Sequence, residues 1–252
     1  MAGVDEVGRG AWAGPLSVGI AVVHAGLRMR TVPLWLRDSK LLPEERRELV
    51  FDDVARWCAD AAVGHASAAE CDRFGMTRAW RLAAHRALAS LELVPDALVI
   101  DGPYDFLRER SAQALPSDPK GVRAAAVSGG GVSPASLVEQ GRFDVFVEAG
   151  DRAREQSVPP DDGFALPDAP VPARVLTIVG ADARCAAVSA ASVLAKVVRD
   201  RMMREEAVHF PPYGFERNKG YPSSRHQIAL RGYGLSAIHR RSWAFVADLP
   251  WR

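Results

Sequence analysis

Residues 2–24 read AGVDEVGRGAWAGPLSVGIAVVH and carry the clearest fold signal in the chain. Residues 2–7 and 16–24 are apolar and rich in β-branched side chains, which favours two strands. The glycines of residues 8–14 and the following Pro15 supply turn chemistry between them. This segment therefore predicts a β-hairpin, with Asp5 and Glu6 adjacent in its first strand.

Strands and helices alternate along the rest of the ordered sequence. Pro43 followed by two acids opens a predicted helix with an apolar stripe of Leu49, Val50, Val54 and Trp57. Further strands are predicted at residues 61–66, 97–100 and 174–179, and further helices at 78–91 and 188–208. This order predicts an α/β fold with a mixed central sheet flanked by helices.

The amino-acid composition changes between residues 104 and 172, which are rich in Pro, Gly, Ser and Asp. One modest apolar island lies at residues 143–147. A connection of this length inside a compact domain is exceptional and is usually functional or disordered. We expect an inserted, largely flexible loop.

Composition excludes several classes of protein. The chain has 252 residues, 48% of them hydrophobic and 25% charged, which is ordinary for a globular protein and excludes wholesale disorder. No apolar run approaches the roughly 18 residues that a membrane span needs, and the N-terminus lacks signal-peptide order. Cys58, Cys71 and Cys185 form no CxxC pair or even disulfide framework. We expect a cytoplasmic protein with reduced cysteines, and a monomer by default.

Charge is unevenly distributed although the net charge is only +1. Residues 196–252 hold 11 Lys/Arg and 5 Asp/Glu, against 21 and 26 in the rest of the chain. A basic C-terminal region suits a polyanionic ligand, although a charge excess is more often a solvated face. Residues 211–252, punctuated by aromatic residues, glycine and arginine, are interpreted as a binding surface more than a core.

Four carboxylates stand where an α/β fold places its chemistry. Asp5 and Glu6 lie in the first strand, Asp101 ends a buried strand, and Asp182 lies between a strand and a helix. An isolated Asp-Glu pair is more often a polar strand end, but four carboxylates at sheet ends can converge. Hydrolysis of a phosphodiester by two Mg²⁺ or Mn²⁺ ions needs such a cluster, because these ions prefer oxygen ligands.

Three short motifs could contact a nucleic acid. Gly8-Arg9-Gly10 lets the main chain approach a ligand and offers a guanidinium. Residues 218–222, NKGYP, place a cation and a phenol in a turn, and residues 239–243, HRRSW, add cationic donors. Such groups suit phosphate contact and stacking on a sugar or base. Each motif taken singly is more often an ordinary turn or surface.

In combination, these motifs resemble the bacterial ribonuclease HII family, the type 2 ribonucleases H. The resemblance is carried by AGVDEVGRG (2–10), DSK (38–40), VIDG (99–102), ADAR (181–184), VSAASVLAKVVRD (188–200), YGF (213–215), KGYP (219–222) and HRRS (239–242). These motifs cover essentially the whole chain outside residues 104–172. One departure is Gly180-Ala181-Asp182, because the family usually has Lys-Gly-Asp there and this chain lacks that cation.

The resemblance implies a single ribonuclease H-like catalytic domain over residues 1–252, with a basic substrate-binding region at 205–252. It implies endonucleolytic cleavage of RNA in RNA/DNA hybrids and at ribonucleotides embedded in duplex DNA, 5′ to the RNA–DNA junction. Two Mg²⁺ or Mn²⁺ ions would serve the reaction, which leaves 5′-phosphate and 3′-hydroxyl ends. Ribonucleotide excision and RNA primer removal are the implied roles.

The resemblance also implies site residues. The metal-binding and catalytic carboxylates are Asp5, Glu6, Asp101 and Asp182. The residues that would bind substrate are Gly8, Arg9, Gly10, Ser39, Lys40, Lys219, Tyr221 and Arg240. Within this set, the Gly8–Gly10 loop would sense the 2′-hydroxyl and Tyr221 would stack on the following deoxyribose. Our hypothesis is that Asp5 and Asp101 lie nearest to both ions, with Glu6 and Asp182 completing separate sites.

Two other functions remain open from the sequence. A DNA junction nuclease of the same fold superfamily would also use an acidic cluster with two metals. A nucleic-acid-binding protein that has lost catalysis would bind without Mg²⁺ and cleave nothing. Cleavage of a duplex that carries one ribonucleotide, beside an all-DNA duplex, separates these alternatives.

Overall fold

The computed structural model describes residues 1–24, 32–33, 36, 42–108 and 163–249. Within them, five strands form one mixed sheet in the spatial order β3-β2-β1-β4-β5. The strands are β1 Ala2–Val7, β2 Leu16–Val22, β3 Asp60–Ala66, β4 Ala97–Asp101 and β5 Arg174–Ile178. The helices are α1 Glu44–Trp57, α2 Ala68–Phe74, α3 Met76–Ala89, α4 Ala186–His209, α5 Phe215–Asn218 and α6 Ser224–Tyr233. The predicted α/β fold class is confirmed.

The central strand β1 determines where the site can lie. It pairs antiparallel with β2, with Asp5 opposite Gly19, which confirms the predicted hairpin. On its other side β1 is parallel to β4, and β4 is parallel to β5. Because parallel strands end at the same edge of a sheet, the carboxyl ends of β1, β4 and β5 share one edge.

Helices cover both faces of this sheet. One buried cluster joins α3 to alternate side chains of β1 and β2, including Val4 and Ile20. A second joins α4 and α1 to the opposite face. The α4 backbone touches β1 directly, since a Cβ on Gly3 would lie 2.2 Å from the carbonyl carbon of Ala187. Only glycine fits this contact, which fixes the N-terminal end of α4 against β1.

The C-terminal segment forms a core of its own, so the prediction that residues 211–252 are more a binding surface than a core was wrong for much of the described part. Tyr213 and Phe215 stack with ring centroids 5.4 Å apart, and Trp12 stacks on Phe245 at 4.1 Å. Leu230 of α6 is 1% exposed in the same cluster. This second core attaches the C-terminal segment to the loop between β1 and β2.

Two details of the predicted helices were also wrong. Leu49, assigned to the buried stripe of α1, is 78% exposed. Glu44 and Glu48 of α1 pair with Arg204 of α4, so their side of the helix faces the protein. Helix α2 was not predicted, although Ser67 begins it with a side-chain cap in a reciprocal pattern with Glu70.

The predicted insertion is described only at its two ends. Arg81 of α3 donates from Nε to the carbonyl oxygen of Phe106 at 3.1 Å. Arg108 donates to the carbonyl oxygens of Pro172 and Ala173, at 2.6 and 3.0 Å. Both ends are therefore held together beside α3. Residues 109–162, including the apolar island at 143–147, lie outside the described residues.

Two expectations about cysteines and membranes can be compared with the described part. Cys58, Cys71 and Cys185 are all free thiols. Among the residues described, no helix combines the length and the apolar character that crossing a membrane requires.

Candidate active site

The four predicted carboxylates come to the same edge of the sheet. Asp5 and Glu6 lie in the C-terminal half of β1, and Asp101 is the last residue of β4. Asp182 sits in a short 3-10 helix, Ala181–Ala183, between β5 and α4. Asp5 and Asp182 are 4% and 6% exposed.

Backbone hydrogen bonds fix two of these carboxylates. The Ala181 amide donates to Oδ1 of Asp101 at 2.8 Å, which ties the Asp182 turn to the end of β4. The Glu6 amide donates to Oδ1 of Asp5 at 2.9 Å. The carbonyl oxygen of Asp182 accepts a hydrogen bond from the hydroxyl of Ser189 in α4. Backbone amides thus orient the Asp5 and Asp101 carboxylates, and α4 holds the turn that carries Asp182.

The electrostatics of Glu6 show that the carboxylates influence one another. The pKa of Glu6 is raised from 4.5 to about 8, mainly by burial and next by the nearby charge of Asp5, with a smaller contribution from the charge of Asp101. Arg9 opposes these effects. When like charges lie close together in a poorly solvated site, a bound cation offsets their repulsion.

The donor chemistry of this edge fits Mg²⁺ or Mn²⁺, because every predicted ligand is a carboxylate oxygen. Among the described residues, however, no group of three or more His, Cys, Asp or Glu side chains is placed so that it could hold a metal ion. Sheet topology therefore brings the carboxylates to one edge without closing a coordination shell.

A pocket of about 150 Å³ opens beside Asp5 and Glu6. Its lining includes three polar residues that sequence reasoning did not assign: Arg47, Ser192 and Lys196. Lys196 Nζ lies 2.6 Å from Oδ1 of the buried Asp200, and Arg47 lies 3.7 Å from its other oxygen. The i,i+4 spacing of Lys196 and Asp200 was a visible signal, whereas nothing distinguished Arg47 from its neighbouring arginine.

The Gly8-Arg9-Gly10 loop, which is predicted to sense the 2′-hydroxyl, follows β1 directly. Gly8 has a φ of +86° and its amide donates to the hydroxyl of Tyr221 at 3.1 Å. The Arg9 guanidinium lies 5.0 Å from the centre of the Trp80 ring, and Gly10 is exposed. The structure thus joins the loop to Tyr221, which stands 213 residues later.

Two predicted substrate contacts occupy interior positions. Lys219 is 4% exposed and its Nζ lies 3.0 Å from Oε2 of Glu44. Arg240 is 0% exposed and donates to the carbonyl oxygens of Gly8 and Arg9, at 2.6 and 2.9 Å. These positions do not support direct contact of either side chain with a substrate.

The other two predicted contacts, Ser39 and Lys40, lie outside the described residues.

Comparisons with known proteins identify a family and support the fold. A family model described as Ribonuclease HII matches residues 2–169 and 167–246. A ribonuclease HII of Streptomyces avermitilis is 36% identical over 253 residues, covering 100% of this chain and 80% of that protein. The crystal structure of ribonuclease H2 from Pyrococcus horikoshii OT3 has a TM-score of 0.61 and 27% identity, covering 98% of this chain and 95% of that one. A Bst ribonuclease HIII structure in complex with Mn²⁺ has a TM-score of 0.57 and 19% identity, covering 100% of this chain and 70% of that one.

Proposed function

Because the chain belongs to the ribonuclease HII family, and is thereby a ribonuclease H, we propose that it cleaves RNA in hybrids and at ribonucleotides embedded in duplex DNA. The cut falls 5′ to the RNA–DNA junction and leaves 5′-phosphate and 3′-hydroxyl ends. Ribonucleotide excision and RNA primer removal are the roles that follow. The substrate is a nucleic-acid duplex, and the protein acts as a cytoplasmic monomer.

The hydrogen bond between the Gly8 amide and the Tyr221 hydroxyl, 3.1 Å long, is the observation that carries this proposal. It places an aromatic ring beside a glycine-rich loop that continues directly from Asp5 and Glu6. A ring can stack on a sugar or base, and the loop amides can reach a 2′-hydroxyl, the group that distinguishes RNA from DNA. Recognition and chemistry would then lie side by side at the carboxyl end of β1.

Asp5, Glu6, Asp101 and Asp182 would hold two Mg²⁺ or Mn²⁺ ions. Divalent cations held there would supply an activated water for attack on phosphorus and would stabilise the leaving 3′-oxygen. The chain's own contribution is orientation: the Ala181 amide directs the Asp101 carboxylate and the Glu6 amide directs that of Asp5. Burial of Asp5 and Asp182 keeps these carboxylates poorly solvated, which strengthens their attraction for a cation.

The decisive experiment is cleavage of three duplexes with Mg²⁺ and then Mn²⁺. They carry one ribonucleotide, a continuous RNA strand, or no RNA, and products are mapped to the nucleotide. We expect cutting of the first two, 5′ to the junction in the first, and none of the third. Cutting of the all-DNA duplex would favour a junction nuclease, and no cutting with either ion would favour a binding protein without catalysis.

Asp182→Asn tests the fourth carboxylate in the same assay. We expect turnover to fall by about 100-fold or more while duplex binding changes little, since the loss affects charge stabilisation in the transition state. Asp96→Asn is the matched control, because Asp96 is an exposed aspartate just before the amino end of β4. Near-wild-type turnover of Asp182→Asn at saturating substrate would refute the assignment.

Tyr221→Ala tests recognition separately from chemistry. We expect it to weaken cleavage at a single ribonucleotide more than cleavage of a continuous hybrid, which offers many equivalent sites. The measurement is kcat/KM on both substrates. Equal losses on the two would count against a reading role for the ring.

A further inference from the structure

Two buried arginines lie beneath the two elements proposed to recognise a ribonucleotide, the Gly8–Gly10 loop and the turn that carries Tyr221. Arg199 of α4 and Arg240 are each 0% exposed. In the described part of the chain, neither guanidinium lies within 4.0 Å of an Asp or Glu oxygen. A buried charge is normally paired, so two that are solvated by other groups require an explanation.

Backbone carbonyl groups solvate the Arg240 guanidinium. It donates to the carbonyl oxygens of Gly8 at 2.6 Å and Arg9 at 2.9 Å. It also reaches the carbonyl oxygen of Gly14 at 3.2 and 3.3 Å from two nitrogens. One planar fork therefore holds three points of the loop between β1 and β2.

Arg199 holds the remaining side of the same assembly. Its three nitrogens donate to the carbonyl oxygens of Pro15 at 2.8 Å, Lys219 at 2.9 Å and Ala13 at 3.2 Å. The guanidinium also lies 5.5 Å from the centre of the Tyr221 ring. Arg199 thus connects the loop after β1 to the turn that carries Tyr221.

The geometry of the peptide bond gives these contacts a direction. The described part contains no cis peptide bond, so each N–H points opposite to the carbonyl group of the same peptide. The carbonyl groups of Gly8 and Arg9 point at the Arg240 guanidinium. The amides of Arg9 and Gly10, which share those peptides, are therefore turned away from the interior.

Glycine at position 8 is part of this arrangement. A Cβ there would lie 2.2 Å from Nε of Arg199, at a φ of +86° that side chains rarely adopt. The guanidinium and the loop backbone are consequently in direct contact, with nothing between them.

We propose that Arg199 and Arg240 are positioning residues for ribonucleotide recognition, because they hold the Gly8–Gly10 loop and the Tyr221 turn in place. They donate hydrogen bonds to six backbone carbonyl oxygens behind the Gly8–Gly10 loop and the Tyr221 turn. The loop amides then face the substrate, and the Tyr221 ring is held in position. Neither guanidinium touches the substrate. The inference rests on the proposed function, because it presupposes that the chain recognises a ribonucleotide. It assigns Arg199 and Arg240 to that recognition and not to the carboxylate edge.

The test compares Arg240→Met and Arg199→Met with the wild-type chain on two duplexes, one with a single ribonucleotide and one with a continuous RNA strand. The readout is the ratio of kcat/KM for the first duplex to that for the second, alongside the thermal unfolding midpoint. We expect this ratio to fall about tenfold or more in both variants, since each loses several charge-assisted hydrogen bonds. Arg240→Lys and Arg199→Lys should recover part of the ratio, because lysine keeps the cation but not the fork.

Arg81→Met is the matched control. Arg81 is also a buried arginine that donates to backbone carbonyl groups, those of Phe106 and Arg108, but beside the insertion. It should lower stability and leave the ratio unchanged. If the methionine variants do not fold, the lysine variants are read against Arg81→Lys in the same way.

Two outcomes overturn different claims. If the Arg199 and Arg240 variants lose activity equally on both duplexes, so that the ratio stays unchanged as is expected of Arg81→Met, their role is structural and the inference fails. If the wild-type chain itself does not cut at a single ribonucleotide, the proposed function fails instead.

Discussion

Acidification is expected to destabilise the fold through a buried pair of histidines, His226 and His239. Their exposed fractions are 0% and 2%, and their Nε2 atoms are 2.8 Å apart. Nδ1 of His226 lies 2.9 Å from the carbonyl oxygen of Tyr221, so it must donate, and its Nε2 must then accept. His239 donates from Nε2, and its Nδ1 accepts from the amide and the hydroxyl of Ser236, at 2.9 and 2.7 Å. Both rings are satisfied only when neutral.

The pKa values give the sign and size of the effect. Burial lowers the pKa of both rings, and lowers that of His239 from 6.5 to about 3, with the neighbouring His226 as the next cause. Below pH 6.5 the unfolded chain takes up protons that the folded chain refuses, so stability is complete above pH 6.5 and is lost as the pH falls towards 3. Between pH 7.5 and 5.5 this linkage amounts to about 1.4 kcal/mol for each ring that stays neutral in the folded state.

Urea denaturation followed by tryptophan fluorescence at the two pH values measures this loss. In His239→Gln the loss should shrink by about 1.4 kcal/mol, because one of the two rings no longer titrates in the unfolded chain. His24→Gln, which removes an exposed histidine, should keep the wild-type loss. An unchanged pH dependence in His239→Gln would refute the neutral-pair reasoning.

Three further outcomes follow from single contacts. Gly3→Ala should unfold the protein or lower its stability by about 3 kcal/mol or more in urea, because the new Cβ would overlap the α4 backbone. Glu70→Gln should cost about 1 kcal/mol at pH 7 by loss of its ion pair with Arg86, 2.7 Å long. Because Arg86 lowers the pKa of Glu70 to about 2, that contribution is present above pH 4.5 and disappears as the pH falls to 2, which the same denaturation at low pH measures. Tyr221→Phe removes the acceptor of the Gly8 amide and should lower the single-ribonucleotide preference with little change in Tm, and an unchanged preference would contradict that contact's role.

The sequence allowed the elements with strong local patterns to be predicted. The hairpin was readable because β-branched runs flank a glycine-rich turn, and α4 because its apolar residues recur at helical spacing over six turns. Helix α2 was missed because it spans only seven residues and its capping residues are a weaker signal than periodicity. Leu49 was assigned to the buried stripe of α1, but the side of the helix that packs on α4 carries Val54 together with Glu44 and Glu48, which pair with Arg204.

The amino-acid order by itself was enough to predict four carboxylates at or close after the carboxyl ends of strands, since strand ends follow from local composition. Only the tertiary structure decided what the cationic residues do. Lys219 and Arg240 stand in turns that look like ligand contacts, yet both are buried against groups more than 170 residues away along the chain. Their partners are backbone carbonyl groups and one glutamate, which sequence spacing cannot bring together. A side chain's burial depends on such long-range contacts, so residue types that suggest a surface for nucleic acid are here buried inside the protein.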